Sequence, residues 1–379
     1  MAVIAIDGRE LTGRPTGVGR YLSHLLAAWQ RLPEAAGHEF LLYLPEGDEG
    51  GLREDRRDAC TSADRRGACP TGIARRVVRG GRGSWWEQVR LPAAMRRDRP
   101  DVLFAPAYTA PLAGRVPVVL ALHDVSFLAH PEWFPPRTRL RRRLVTTVAA
   151  RRAAGILTIS RFSAGEIGLR LAIPPGRIRV VPLAPTPPCL PAESRREPLV
   201  LYAGSIFNRR HLPDLIAACG RVGRRHPDLR LVLVGEDRTY PRQDLAAEAA
   251  RAGLGDRVSL RSYIPDQELG RLYAAASAFA FLSDYEGFGL TPLEALAAGV
   301  PLVLGDIPVA REVCGDAALY VSTGDPEAIA AALESVLYDA GTRERLLGPA
   351  AAATLGRYSW DRTGRETLAV LLDAASPRT

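Results

Sequence analysis

Short apolar runs recur along the chain, with polar stretches of helical period between them. In the first half the runs are MAVIAID, HEFLLYLP, DVLFAP, VPVVLALHD and GILTIS. They are rich in Val, Ile and Leu and do not alternate strictly, which is the pattern of parallel strands covered on both faces. Between them, GVGRYLSHLLAAWQRL places Tyr21, Leu22, Leu25, Leu26 and Trp29 on one face of a helix. At PLAPTPPCLPAESRREP, Pro182 to Pro198, the pattern gives way to proline and charge and reads as a linker. It restarts with PLVLYAGS, LRLVLVGE, RVSLRSYIP, AFAFLSD and VPLVLGD, separated by helical stretches such as LPDLIAACGRVGRRH and QDLAAEAARAG. Two such repeats predict an α/β protein of two doubly wound domains. Ligands in such folds sit at the carboxyl ends of the strands, here in loops facing each other across an interdomain cleft. The predicted divisions are 1–190, 191–355 and a C-terminal helix within 356–379 that packs back on the first domain. Residues 46–82, polar and rich in Gly and Arg, read as a mobile insertion.

Composition narrows this picture. The apolar fraction of 47% is that of a globular chain, and no run of eighteen apolar residues predicts a membrane span. The start reads as a strand rather than a signal peptide, so a cytoplasmic location is expected. All 50 basic residues are Arg. Residues 1–190 hold 29 Arg against 17 acids (+12) and the remainder 21 against 25 (−4), which together give the net charge of +8. A basic first half suggests an anionic partner: a phosphorylated acceptor, a membrane surface or nucleic acid. The five cysteines, Cys60, Cys69, Cys189, Cys219 and Cys314, have no metal-ligand spacing, so they read as reduced and structural, and no bound metal is expected.

Five stretches could carry chemistry. In AIDGRELTGRPTGVGRYLSHL, Gly13, Gly17 and Gly19 precede a helix whose free N–H groups suit an anion; a plain tight turn explains them equally. In LALHDVSFLAHPEWFPP, His123 follows a buried strand and either reaches a ligand or is a structural histidine paired with Asp124. Trp133 and Phe134 beside it read as contacts to lipid or sugar, or as core. RTRLRRRLVTTVAARRAAG crowds Arg137, Arg139, Arg141 to Arg143, Arg151 and Arg152 onto one helix. That is either a solvated basic face or a dock for anionic lipid beside Trp85 and Trp86; no nucleic-acid module accompanies it. In LYAGSIFNRRHLPDLIAA, Gly204 ends a strand and Arg209 with Arg210 can grip a diphosphate and neutralise a departing nucleotide. Finally, in DYEGFGLTPLEALAAGVP, Thr291, Pro292 and Glu294 fit a capping box with Thr291 as N-cap. That explanation leaves Glu286 and the flanking Gly287 and Gly289 without a purpose.

Together TGVGRY (16–21), LHDVSF (122–127), ILTISRFSAGEI (156–167), GSIFNRRHL (204–212), YEGFGLTPLEALAAGVP (285–301) and EVCGDAALYV (312–321) resemble, in order and over nearly the whole chain, family 4 of the retaining glycosyltransferases. Glu286 and Glu294 reproduce that family's E-x7-E signature. The resemblance implies the GT-B fold, two Rossmann-like domains of which the first binds the acceptor and the second a nucleotide sugar. It implies that Glu286 holds hydroxyls of the donor sugar and that the backbone of Gly287, Phe288, Gly289 and Leu290 contacts sugar and diphosphate. Glu294 would bind ribose hydroxyls and Arg209 with Arg210 the diphosphate, near Gly204. His123 would lie beside the sugar, Gly17 and Gly19 would face the phosphates, and Tyr263 with Ile264 would edge the base. The family usually has Arg-Lys where this chain has Arg209-Arg210, and the two cations are not equivalent at close quarters.

The implied reaction moves a hexose from a nucleotide-diphosphate sugar to a hydroxyl of a glycan or lipid-linked acceptor, with retention and without metal or cofactor. HDVSF followed by PEWF most resembles bacterial mannosyltransferases, so GDP-mannose is the expected donor. The rivals are a UDP- or dTDP-sugar, a glycogen-synthase-like or epimerase activity, or an inactive glycan-binding relative. Peripheral contact with the inner face of the membrane is a further expectation.

Overall fold

A computed structural model describes residues 1–13, 17–46, 72–192 and 195–376. The middle of the 46–82 insertion, with Cys60 and Cys69, lies outside the described residues, as does Thr16 of TGVGRY. The chain forms two compact units, one of Met1–Leu183 with Ser359–Thr379 and one of Ala184–Tyr358.

The first unit is built on seven parallel strands: β1 (Val3–Asp7), β2 (Glu39–Pro45), β3 (Ile73–Val78), β4 (Val102–Ala105), β5 (Val118–Ala121), β6 (Gly155–Thr158) and β7 (Ile178–Val180). Their order across the sheet is 3-2-1-4-5-6-7, so the direction of winding reverses between β1 and β4. Central strands are covered on both sides; Ile4, Ala5 and Ile6 are fully buried, as their unbroken apolar sequence requires. Strand β3 corrects the expectation of a mobile insertion over 46–82 at its described end, Ile73–Val78. It is an edge strand whose Arg75 and Arg76 face solvent, so it carries none of the apolar signal of the inner strands, and its charge blunts the open edge.

One side of this sheet is covered by the helix Gly17–Arg31, which buries Tyr21, Leu22, Leu25, Leu26 and Trp29. Trp29 stacks on Phe40 at 5.1 Å and donates its indole N–H to the Gly364 carbonyl at 2.9 Å. Gly364 lies in the helix Trp360–Ala375, which lies against Gly17–Arg31. A β-carbon at Gly364 would stand 3.0 Å from both Ala28 and Leu32, so the absence of a side chain sets how closely the two helices approach.

The second unit has six parallel strands: β8 (Glu197–Ala203), β9 (Arg230–Val234), β10 (Val258–Arg261), β11 (Ala276–Phe281), β12 (Leu302–Gly305) and β13 (Ala318–Val321). The order is 10-9-8-11-12-13, placing the reversal between β8 and β11. At the end of the proline-rich stretch, Arg196 donates to the carbonyls of Tyr273 and Ala276 at 2.6 and 2.7 Å and to those of Ala298 and Gly299 at 2.6 and 3.1 Å. One guanidinium thus satisfies the carboxyl ends of the helices Asp266–Ala275 and Leu290–Ala297, where a cation also complements the helix dipoles.

Candidate active site

Parallel doubly wound sheets leave a crevice where winding reverses, because the loops leaving the two central strands run in opposite directions. In the second unit those loops are 204–211, after β8, and 282–289, after β11. They carry the residues singled out in the sequence. Arg210 is only 9% exposed, and its Nε and Nη2 reach Glu286 Oε1 at 3.0 and 2.9 Å. Its Nη1 donates to the Tyr202 hydroxyl at 3.1 Å and the Ser205 carbonyl at 2.5 Å, and its plane lies 4.6 Å over Phe281. Burial pulls the Arg210 pKa down, but Glu286 and the Tyr202 oxygen outweigh it and the net shift is upward. Gly204, at φ +146°, makes room for this: a β-carbon there would lie 2.8 Å from Arg210 Nη1.

Ser283 Oγ also donates to Glu286 Oε1, at 2.8 Å, so both loops hold the same carboxylate oxygen. Arg209 turns elsewhere. Its guanidinium stacks 4.2 Å over Phe207, and Nε reaches the Tyr285 carbonyl at 3.4 Å. The loops are joined again by His211, which lies between Asp214 at 2.8 Å and Asp284 at 2.6 Å. The Asp284 hydrogen bond is the main reason that the His211 pKa rises above its usual value, against a smaller opposing effect of burial. Thr323 donates to the other oxygen of Asp284 at 2.6 Å. Both His211 and Asp284 flank recognisable motifs, but nothing local in the sequence pairs positions 73 residues apart.

The helix Leu290–Ala297 begins earlier than the capping box requires. Its N-cap is Gly289, at φ +104°, and no side chain caps it. Thr291 is therefore inside the first turn, and Glu294 lies in the second turn, too far along for a capping box. Glycine alone readily adopts this left-handed start, which decides the boundary in favour of Gly289. The consequence is that backbone N–H groups at Leu290 and Thr291 lack intrahelical acceptors and face the same loop as Glu286. Phe288 is buried edge-to-face on Tyr358 at 5.4 Å, so only its backbone borders the site, whereas Gly287 and Glu294 are half-buried. Tyr263 is exposed and Ile264 buried on the loop after β10. They follow Ser262, which lines a groove of about 700 Å³ with Ile206, Gly235 and Asp237 at the ends of β8 and β9.

The other predicted residues belong to the first unit. His123 follows β5, is 8% exposed and donates from Nε2 to the Pro106 carbonyl at 3.0 Å; the acceptor-only carbonyl fixes the tautomer, leaving Nδ1 as the acceptor. Tyr21 and Tyr108 frame its ring edge-on at 5.0 and 5.8 Å. Burial lowers its pKa, which keeps it neutral. The pairing with Asp124 does not form: that carboxylate accepts from the Tyr108 hydroxyl at 2.9 Å and the Ser126 amide at 2.8 Å. Gly17 is exposed at the start of its helix and Gly19, two residues on within the first turn, is buried.

A cluster absent from the sequence reading lies at the winding reversal of this unit. Arg9 bridges buried Asp7 at 2.8 Å and buried Glu87 at 2.7 Å, and Glu87 also accepts from Thr109. Burial raises the Asp7 pKa more than Arg9 lowers it. The available signal was Asp7 ending an apolar strand two residues before Arg9; Glu87, in a polar segment, offered none. Among the described residues, no group of three or more His, Cys, Asp or Glu could hold a metal ion.

Residues 15–184 match the family described as Glycosyltransferase Family 4, and residues 191–350 match Glycosyl transferases group 1. The chain is 32% identical to O-antigen chain mannosyltransferase B of Escherichia coli over 66% of its own length and 68% of the relative's. It is 35% identical to D-inositol 3-phosphate glycosyltransferase of Segniliparus rotundus, over 46% of this chain and 39% of that one. The crystal structure of Anabaena HepE in complex with UDP and glucose superposes with a TM-score of 0.73 at 20% identity, covering 98% of this chain and 100% of that one.

Proposed function

The chain belongs to glycosyltransferase family 4 and has the two-domain GT-B fold, and from that premise we propose the reaction of its second-unit site. The protein transfers a hexose from a nucleotide-diphosphate sugar to a hydroxyl of a glycan or lipid-linked acceptor, retaining the anomeric configuration and using no metal. The observation that carries this reading is Glu286, held at Oε1 by Arg210 and Ser283 beside the uncapped start of Leu290–Ala297. With Oε1 so engaged, Oε2 is the oxygen for sugar hydroxyls. The departing diphosphate gains negative charge, and the N–H groups of Leu290 and Thr291, with Arg209 and Arg210, supply fixed positive charge for it. Glu294 takes the ribose, the groove beside Ser262 takes the base, and Tyr263 and Ile264 edge it. His123 contributes a neutral imidazole acceptor to the sugar, and Gly17 and Gly19 shape the loop for phosphate.

Mannose from GDP-mannose is the favoured donor, supported by the Escherichia coli relative and by HDVSF with PEWF. The Segniliparus relative bears a different name, so donor identity is the part of the proposal to test first. A thermal-shift panel of GDP-, UDP- and dTDP-sugars should single out GDP-mannose, because stabilisation tracks ligand over its dissociation constant. Proton NMR of the product with an acceptor glycan should show the donor's anomeric configuration, in chelator as in buffer. A reaction that stops in chelator removes the metal-free mechanism, and an inverted product removes the retaining one. If no nucleotide sugar binds and Glu286→Ala changes nothing, the transferase reading of this site fails.

A further inference from the structure

Both ring nitrogens of His211 point at carboxylates: Nδ1 lies 2.8 Å from Asp214 Oδ2, and Nε2 lies 2.6 Å from Asp284 Oδ2. An ionised carboxylate only accepts, and a neutral imidazole has a single N–H. Both contacts are therefore satisfied together only by the imidazolium, which donates at each end. The two acids belong to different elements. Asp214 is in the first turn of the helix Leu212–Arg225, which His211 itself begins. Asp284 follows β11, and its other oxygen accepts from Thr323, which follows β13. Asp284 also donates its backbone N–H to the Arg209 carbonyl at 2.9 Å, and it stands two residues before Glu286. Asp214 and Asp284 are the charged groups that face the ring from these elements, and Arg209 and Arg210 precede it in its own loop. His211 has a left-handed backbone, with φ +49° and ψ +40°. A residue with a β-carbon is strained there, and such a conformation persists where its surroundings over-determine it. For His211 those surroundings are the two carboxylates.

We propose, on the reading of this site as the donor site, that His211 is a positioning residue for the nucleotide sugar. As an imidazolium it latches the loop after β11 to the loop after β8, and loss of its proton releases that latch and weakens donor binding. A neutral ring keeps one N–H for two carboxylates, and its other nitrogen turns a lone pair toward an anion, so one contact must open. Asp214 lies within the helix that His211 begins, so the contact that spans the site is the one to Asp284. Loosening there reaches Glu286 and the amides of Leu290 and Thr291, which must stand together to take sugar and diphosphate. Ordering them then falls to the ligand, at the expense of its affinity. Because Asp284 and Asp214 raise the His211 pKa against burial, release comes above 6.5, on the basic side.

The test is calorimetric binding of GDP-mannose, UDP-glucose and dTDP-glucose to the full chain, from about pH 6 to about pH 9. Carboxylates and arginines keep their charge over that range, and so does the diphosphate of a nucleotide sugar. Wild type should bind its donor about tenfold more weakly at the basic end than at the acid end, the scale of one charge-assisted hydrogen bond. His211→Asn, whose side chain tolerates the left-handed backbone, should bind at every pH about as weakly as basic wild type. Asp214→Asn should do the reverse. Its amide donates to Nδ1 of a neutral ring while the Nε2 hydrogen stays on Asp284, so affinity should persist to the basic end. A merely structural contact would weaken binding in both variants and leave the pH profile in place. If His211→Asn does not fold, the wild-type profile and Asp214→Asn decide the matter. A wild-type affinity that does not change with pH overturns the proposal and leaves the transferase reading standing. So does His211→Asn with the wild-type profile, or Asp214→Asn that weakens at the basic end as wild type does. A chain that binds none of the three nucleotide sugars at any pH overturns both.

Discussion

Glu286 is held by a buried cation on one oxygen, and that arrangement makes two consequences inseparable at this residue. In Glu286→Gln the Arg210 guanidinium keeps its burial and loses its counter-charge, an error that costs about 3–5 kcal/mol in buried pairs. Denaturant unfolding should show a loss of that order in the second unit, and kcat with the preferred donor should fall by about a hundredfold or more. Arg210→Lys restores the cation usual in the family but cannot reach Glu286, Tyr202 and Ser205 at once; it should lose stability and keep more activity than Arg210→Gln. Buried His123 and half-buried His211 titrate in opposite senses. Burial holds His123 below 6.5, so its contribution is present above that value and is lost as pH falls through 6.5 toward its folded pKa. His211 is raised by Asp284, so its contribution is full below 6.5 and is lost as pH rises through its folded pKa. Melting temperature against pH should therefore flatten on the acid side in His123→Asn and on the basic side in His211→Asn. Glu286, Arg209 and Arg210 were legible because each sits in a motif with local shape. The partners that hold them were not, since Tyr202, Phe281 and Ser283 read locally as strand ends.

Strands with unbroken apolar sequence, such as VIAID, EFLLYLP and RLVLV, lie where their composition predicts. Those that escaped prediction, IARRVV, IRV and ALYV, are edge strands whose half-exposed faces dilute the pattern. Helix boundaries depended on backbone geometry instead. Thr291, Pro292 and Glu294 satisfy a capping box by spacing, yet the positive φ of Gly289 starts the helix before them. Thr291→Ala should accordingly cost under about 0.5 kcal/mol, where loss of a true N-cap costs about 1 kcal/mol. Gly289→Ala should cost about 1–3 kcal/mol through backbone strain. Urea unfolding of the two variants decides which residue begins the helix. The carboxyl end of that helix depends on Arg196, whose four carbonyl acceptors no sequence pattern announces.

At the scale of the molecule, the basic first half and the mildly acidic second half were visible from counting, and the two sheets from their repeats. What counting could not supply is how the last helix is seated. Gly364→Leu should push Trp360–Ala375 off Ala28 and Leu32 at a cost of about 1–3 kcal/mol, lowering the melting of the first unit by about 2–4 °C per kcal/mol. Calorimetry should show the second unit's transition unmoved. Because that helix covers Trp29 and belongs with Met1–Leu183, the chain completes its first unit only after making all of its second. During synthesis the last element of the first unit therefore arrives late: at about 5–20 residues per second, the surface around Trp29 waits roughly 10–35 seconds for its cover. A nascent chain in that interval presents the aromatic and aliphatic side chains that chaperones bind, while the later-made unit is free to fold.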